Sequence, residues 1–183
     1  SLYKQYFTTQ NGQISVTGDF NAKSLLKYLN KSLGQSKTTQ PYQRLSSEYF
    51  EYPAQKVHAL AEQRQFGNYQ ALITLPVGNR HPDAEALLVL SNILGESQLS
   101  SRLAMELREK NALVYSFGSN MTLSSFQNTG ALGISADYTA GKSAQVSQGV
   151  HKVLNDLLKN GVTEQELEAA KAKWEQELQE HRE

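Results

Sequence analysis

No cysteine occurs in the 183 residues, so the chain has no disulfide framework, no thiolate nucleophile and no thiolate metal site. A metal would have to be held by carboxylates and by the four histidines. Net charge is equally scarce. The 18 Lys and Arg balance 18 Asp and Glu, which removes the global pull toward nucleic-acid phosphate or anionic lipid. Nucleic acid is therefore not an expected partner. No apolar run approaches the ~20 residues that span a bilayer, so no membrane segment is expected, and no signal-peptide profile follows Ser1. The expectation is a single α+β domain, residues 1–183, excised from a longer multi-domain polypeptide whose compartment the sequence does not reveal.

The remaining pattern mixes the two periodicities. Ile14 and Val16 alternate with polar residues over 13–17, the signature of a half-buried strand ended by Gly18-Asp19. Ala22, Leu25, Leu26, Leu29 and Leu33 recur at helical spacing from about Asn21, and Gly34 suits a left-handed position past the helix end. Residues 35–52 lose periodicity and read as a surface connection. Residues 56–65 and 68–76 read as a hairpin turning at Phe66-Gly67-Asn68. A helix is expected over 82–94, with Pro82, Asp83 and Glu85 at its start. It is apolar nearly all round and so largely enclosed, although residues 86–90 alone also suit a buried strand. Gly95 ends it.

A second helix over 98–110 places Leu99, Leu103 and Leu107 four apart, with Arg102, Glu106 and Lys110 as ion pairs at the same spacing. Residues 113–123 and 130–137 alternate as an antiparallel pair around the loop 124–129, and their small residues (Ser116, Gly118, Ser119, Gly133, Ser135) leave room for a close approach. A helix from residue 140 has Val146, Val150, Val153, Leu154, Leu157 and Leu158 as its core stripe and stops at Gly161. Thr163 and Glu166 have capping-box spacing and open a last helix that uses Leu167, Ala170, Trp174 and Leu178. Strands paired as hairpins and helices in succession predict α+β: two layers, with helices on one face of a mainly antiparallel sheet.

Several chemistries find no support. His58, His81, His151 and His181 lie far apart, and none pairs with another at ligand spacing. Glu177 to Glu180-His181 falls one histidine short of the inverted zinc motif His-x-x-Glu-His, and a solvated helix end explains it better. His81 with Glu85 reads as a surface pair. Gly130, Gly133 and Gly141 lack the strand-to-helix context of a phosphate loop. Neither Gly118-Ser119 nor Gly34-Gln35-Ser36 completes a nucleophile elbow.

One ordered set of short motifs is more specific. Leu94-Gly95, Ser100-Ser101-Arg102-Leu103, Glu106-Leu107-Arg108-Glu109-Lys110 and Leu113-Val114-Tyr115-Ser116 together resemble the signature region of the pitrilysin/insulinase family of zinc metallopeptidases. Gly18-Asp19, Gly161-Val162-Thr163, Glu166-Leu167 and Lys171 extend the resemblance over nearly the whole chain. It implies one of several repeated α+β domains, arranged in two halves around an enclosed chamber. The zinc, held by His-x-x-Glu-His and a distal Glu, would lie in another domain and none in this segment. The partners implied are the remaining domains of the same protein or a partner subunit, and a peptide substrate.

By the same resemblance, such a non-zinc domain supplies an Arg and a Tyr with six residues between them, the spacing of Arg108 and Tyr115. They would bind substrate and stabilise the transition state. From the residues alone, Arg108 equally suits a helix-end charge, and Tyr115 a residue packed on the sheet. Where the family has Gly before the Leu-Ala-Tyr triplet, this chain has Ala112, and Asn111 is the residue expected to take the left-handed conformation instead. The loop Glu96-Ser97-Gln98-Leu99 lacks the extra glycines often found there. Two other readings stay open: a noncatalytic scaffold or peptide-binding paralogue of the same fold, and a generic two-layer interaction domain if Arg108 and Tyr115 face opposite sides.

Overall fold

The computed structural model describes residues 9, 12–34, 45, 48–60, 64–97 and 99–180. The chain divides into two compact units, residues 1–45 and 46–183. In the first, helix α1 (Ala22–Leu33) begins where expected. Asn21 caps it, its side-chain oxygen accepting from Ser24 N at 3.0 Å. Two expectations fail in this unit. Residues 13–17 form no strand, because no described strand pairs with them and an unpaired ladder has nothing to hold it extended. Gly34 is right-handed (φ −69°, ψ −8°), because its N–H simply continues the helical ladder to Asn30 O.

The second unit is built on a three-stranded antiparallel sheet of β1 (Phe66–Leu75), β2 (Val114–Leu123) and β3 (Gly130–Thr139), in the order β1-β3-β2. The β2–β3 pair is the one read from alternation. The hairpin expected over 56–76 is not formed. Residues 56–60 have no regular structure, residues 61–63 lie outside the described set, and Phe66, Gly67 and Asn68 sit inside β1 opposite Thr139, Tyr138 and Asp137. Gly67 serves close approach rather than a turn: a Cβ there would lie 2.5 Å from the Tyr138 ring.

Helices α2 (Ala84–Ser91), α3 (Ser143–Asn160) and α4 (Glu164–Glu180) accompany two π-helical segments, Asn92–Glu96 and Ala104–Glu109. The core lies on one face of the sheet, where Leu94, Leu103, Leu107, Val146 and Val150 pack with Phe117, Leu132, Ile134 and Ala136. Each buried Val, Leu, Ile or Phe side chain among them contributes roughly 1.5–3 kcal/mol. The opposite face carries Phe66, Asn68, Gln70, Ser116, Asn120 and Ser135, all exposed.

The helical region departs from expectation in its winding. The helix expected over 82–94 is α-helical only to Ser91, and of α2 only Ala84 and Ser91 are buried; Leu88 is 38% exposed, so it is not enclosed all round. Gly95 does not end the helix but lies within the first π segment, where a Cβ would come within 2.9 Å of Ser119 N. The helix expected over 98–110 starts at Arg102, and Leu99 is 81% exposed. The wider π winding carries positions four apart off one face. Arg102 therefore pairs with Glu166 and Asp156 rather than Glu106, whose short contact is Lys152 at 2.7 Å; Lys110 reaches it only at 4.0 Å. On α3, Val146, Val150 and Val153 are buried as expected, whereas Leu158 is 85% exposed.

Candidate functional site

Arg108 lies in the second π segment and Tyr115 one residue into β2, so the turn between them decides their relation. Tyr115 is the extra residue of a β-bulge: Val114 opposes Tyr138 and Ser116 opposes Asp137, leaving Tyr115 without a partner position. Bulges of this kind re-aim a side chain at a sheet edge. Here the phenol meets the ring of Phe66 edge-on, with centroids 5.3 Å apart and planes at 79°, although β3 separates their strands. Tyr115 is 47% exposed. Local desolvation, and secondly the Asp137 carboxylate, push its phenol pKa up, so at neutral pH it is a proton-bearing donor.

The Arg108 guanidinium donates from Nη2 to the Tyr115 backbone carbonyl at 3.3 Å and lies over Phe117, with Cζ 5.8 Å from the ring centroid. At this end of the sheet the guanidinium thus lies against Phe117 of the core face, and the phenol against Phe66 of the opposite face. Both can donate hydrogen bonds to a carbonyl or an oxyanion.

The turn joining them, which follows the π segment, passes through Ala112, whose φ is +46°, the one described non-glycine residue with positive φ. Asn111 does not take the left-handed conformation expected of it. Its amide instead donates to Glu106 O at 2.6 Å and approaches the Glu106 carboxylate at 3.4 Å. Ala112 N–H closes the helix end on Arg108 O at 2.9 Å, and that bond sets which residue must turn left-handed.

Arg102, from the same motif region, is a structural clamp. Its Nε and Nη2 donate to Glu166 at 2.7 and 2.8 Å, Nη2 also to Gly161 O at 2.7 Å, and Nη1 to Asp156 at 3.1 Å. The Thr163–Glu166 capping box forms as read: Thr163 N donates to Glu166 Oε2 at 2.8 Å, and Glu166 N to Thr163 Oγ1 at 3.2 Å. Arg102 first, then Thr163, lowers the Glu166 pKa to about 2 against the opposing effect of burial. Ser119 Oγ donates to Ser91 O at 2.7 Å, joining β2 to α2.

The histidines stay apart. His58 faces Ser143 at 3.4 Å, His81 accepts from Asp83 N at 3.2 Å, and His151 contacts Ser147 O at 2.6 Å; His181 lies outside the described residues. Glu177 pairs with Lys173 at 3.6 Å. Among the described residues no three His, Asp or Glu side chains are grouped to hold a metal.

Sequence reading missed Phe66 and Lys142 as neighbours of this site, and for Asn111 it missed the side-chain bond to Glu106 O. Phe66 was hidden by the apparent turn at Gly67, while the bonds of Lys142 and Asn111 go to backbone carbonyls and leave no pattern in spacing.

The class defined by the fold is a two-layer α+β domain with its core on one face of an antiparallel sheet. Comparison with known proteins identifies its family. The model of the peptidase M16 inactive domain matches residues 1–173, and the chain belongs to this family, the one its Leu94–Ser116 motifs resemble. It is 31% identical over 166 residues to the Bacillus subtilis (strain 168) protein named uncharacterized zinc protease YmxG, covering 91% of this chain and 39% of that relative. The M16 inactive domain structure from Pseudomonas fluorescens superposes with a TM-score of 0.57 at 25% identity, over 84% of this chain and 35% of that one. A Helicobacter pylori protease shares the fold, with a TM-score of 0.68 at 22% identity over 88% of this chain and 39% of that one. The chain thus spans about two fifths of the length of YmxG. Among the described residues no helix is long and apolar enough to cross a membrane.

Proposed function

We propose that this chain is the non-zinc module of a zinc endopeptidase, forms part of the wall of its peptide-binding chamber, and contributes Arg108 and Tyr115 to peptide-bond hydrolysis. The observation that supports the reading is the 3.3 Å bond from Arg108 Nη2 to the Tyr115 backbone carbonyl, which ties the guanidinium to the bulge that carries the phenol. In this role Arg108 orients a substrate carbonyl, and the Tyr115 hydroxyl donates to the oxyanion that develops when water attacks the scissile bond. The zinc belongs to another module of the parent protein. The chain alone is then inactive.

The test is steady-state peptide cleavage by the full-length zinc-loaded protein carrying Tyr115→Phe or Arg108→Met. Loss of one preorganised donor lowers kcat by about 10²–10³ with zinc content unchanged. Wild-type kcat in both variants overturns the assignment. A full-length protein with no bound zinc and no peptidase activity would instead identify a noncatalytic scaffold.

A further inference from the structure

We propose that Asn111 and Lys142 are positioning residues, which together hold Ala112 in its left-handed turn and so set the placement of Arg108 relative to Tyr115. The inference deepens the reading of that pair and rests on it.

Ala112 is the joint of the assembly. A left-handed backbone costs an L-residue roughly 1–2 kcal/mol, a cost that glycine escapes. Something must therefore hold alanine there, and bonds converge on the turn from three sides. Lys142 Nζ donates to Ala112 O at 3.1 Å from the residue that precedes α3. The Asn111 amide reaches back to Glu106 O at 2.6 Å. Glu106 is itself 8% exposed and tied to Lys152 of α3 at 2.7 Å, so the anchor of Asn111 is fixed to the core helix. On the third side the ladder closes: Ala112 N donates to Arg108 O at 2.9 Å and Leu113 N to Leu107 O at 2.8 Å.

The consequence for the site is geometric. Ala112 N holds the backbone of Arg108, and the Arg108 guanidinium holds the backbone carbonyl of Tyr115. Relaxing φ at Ala112 toward ordinary values would swing the entry to β2, including the bulge that aims the phenol. Neither Asn111 nor Lys142 touches the reacting atoms in this arrangement; both act through the turn. Glycine at position 112 would hold the same turn without them.

The experiment uses the full-length peptidase with Asn111→Ala, Lys142→Met and the Asn111→Ala/Lys142→Met pair, each with and without Ala112→Gly. The expected result is a kcat lowered about tenfold in the pair, KM within about twofold, and recovery of most of the loss on adding Ala112→Gly. A purely structural role predicts a lower melting temperature with unchanged kcat per folded, zinc-loaded molecule, and that result overturns the proposal. Loss of kcat without rescue by glycine also overturns it. Amide hydrogen exchange at Leu113 and Tyr115 separates this from failure of the underlying reading. If Arg108→Met and Tyr115→Phe leave kcat untouched, the site assignment falls. The turn assignment falls separately, if exchange at these amides is the same in the pair as in wild type.

Discussion

Replacing Glu166 by Gln removes one charge from the Arg102 clamp while keeping its shape, and the structure fixes both sign and size of the effect. The Glu166 carboxyl titrates at about 2, against an ordinary value of 4.5. Because the folded value is depressed, the stabilisation is fully present above the unfolded value and is lost as pH falls from there through the folded one. The full shift would correspond to roughly 3 kcal/mol. Glu166 is 26% exposed and Arg102 14%, so solvent screening reduces this to about 1–2 kcal/mol. Urea unfolding of wild type and Glu166→Gln over a pH series measures it. The stability difference should be about 1–2 kcal/mol near pH 7 and lose more than half its size by about pH 3. A difference independent of pH, or no difference near neutrality, would refute the assignment of the clamp as a charged pair.

Two further substitutions probe the turn at the site and the loop at the far end of the β2–β3 pair. Ala112→Gly relieves a left-handed alanine (roughly 1–2 kcal/mol) and adds unfolded-chain entropy (about 0.4–1 kcal/mol), so a melting temperature higher by about 1–3 °C is expected, and a fall would count against the positive φ. Gly78→Ala would place a Cβ 2.1 Å from Gln127 O and 2.9 Å from Ser124 O, both backbone atoms. A loss of about 2–3 kcal/mol in chemical denaturation is expected, and wild-type stability would show that the loop 124–129 does not pack there.

Legibility in the sequence followed the kind of interaction involved. The β2–β3 pair and the Thr163–Glu166 box were readable because alternation and capping are local and their partners lie close in the chain. β1 was readable as a strand but not in its pairing, since the contact that makes Gly67 necessary comes from Tyr138, far along the sequence. The π segments were hidden by leucines spaced four apart, which imitate an ordinary helix even though Leu99 is exposed while Leu103 and Leu107 are buried. At the site, the spacing of Arg108 and Tyr115 was visible through family resemblance. The left-handed residue was assigned to Asn111 on side-chain tolerance, whereas helix-end hydrogen bonding decides for Ala112. The clamp from Arg102 to Glu166 crosses 64 positions and leaves no periodic trace.

The most direct test of an oxyanion role for Tyr115 is differential binding by the full-length zinc-loaded protein. Its substrate peptide is compared with the matching phosphinic peptide, whose tetrahedral centre carries the charge of the intermediate. Tyr115→Phe should weaken the phosphinate by about 10²-fold and the substrate by no more than about threefold. Equal weakening of both, or of neither, would contradict the account.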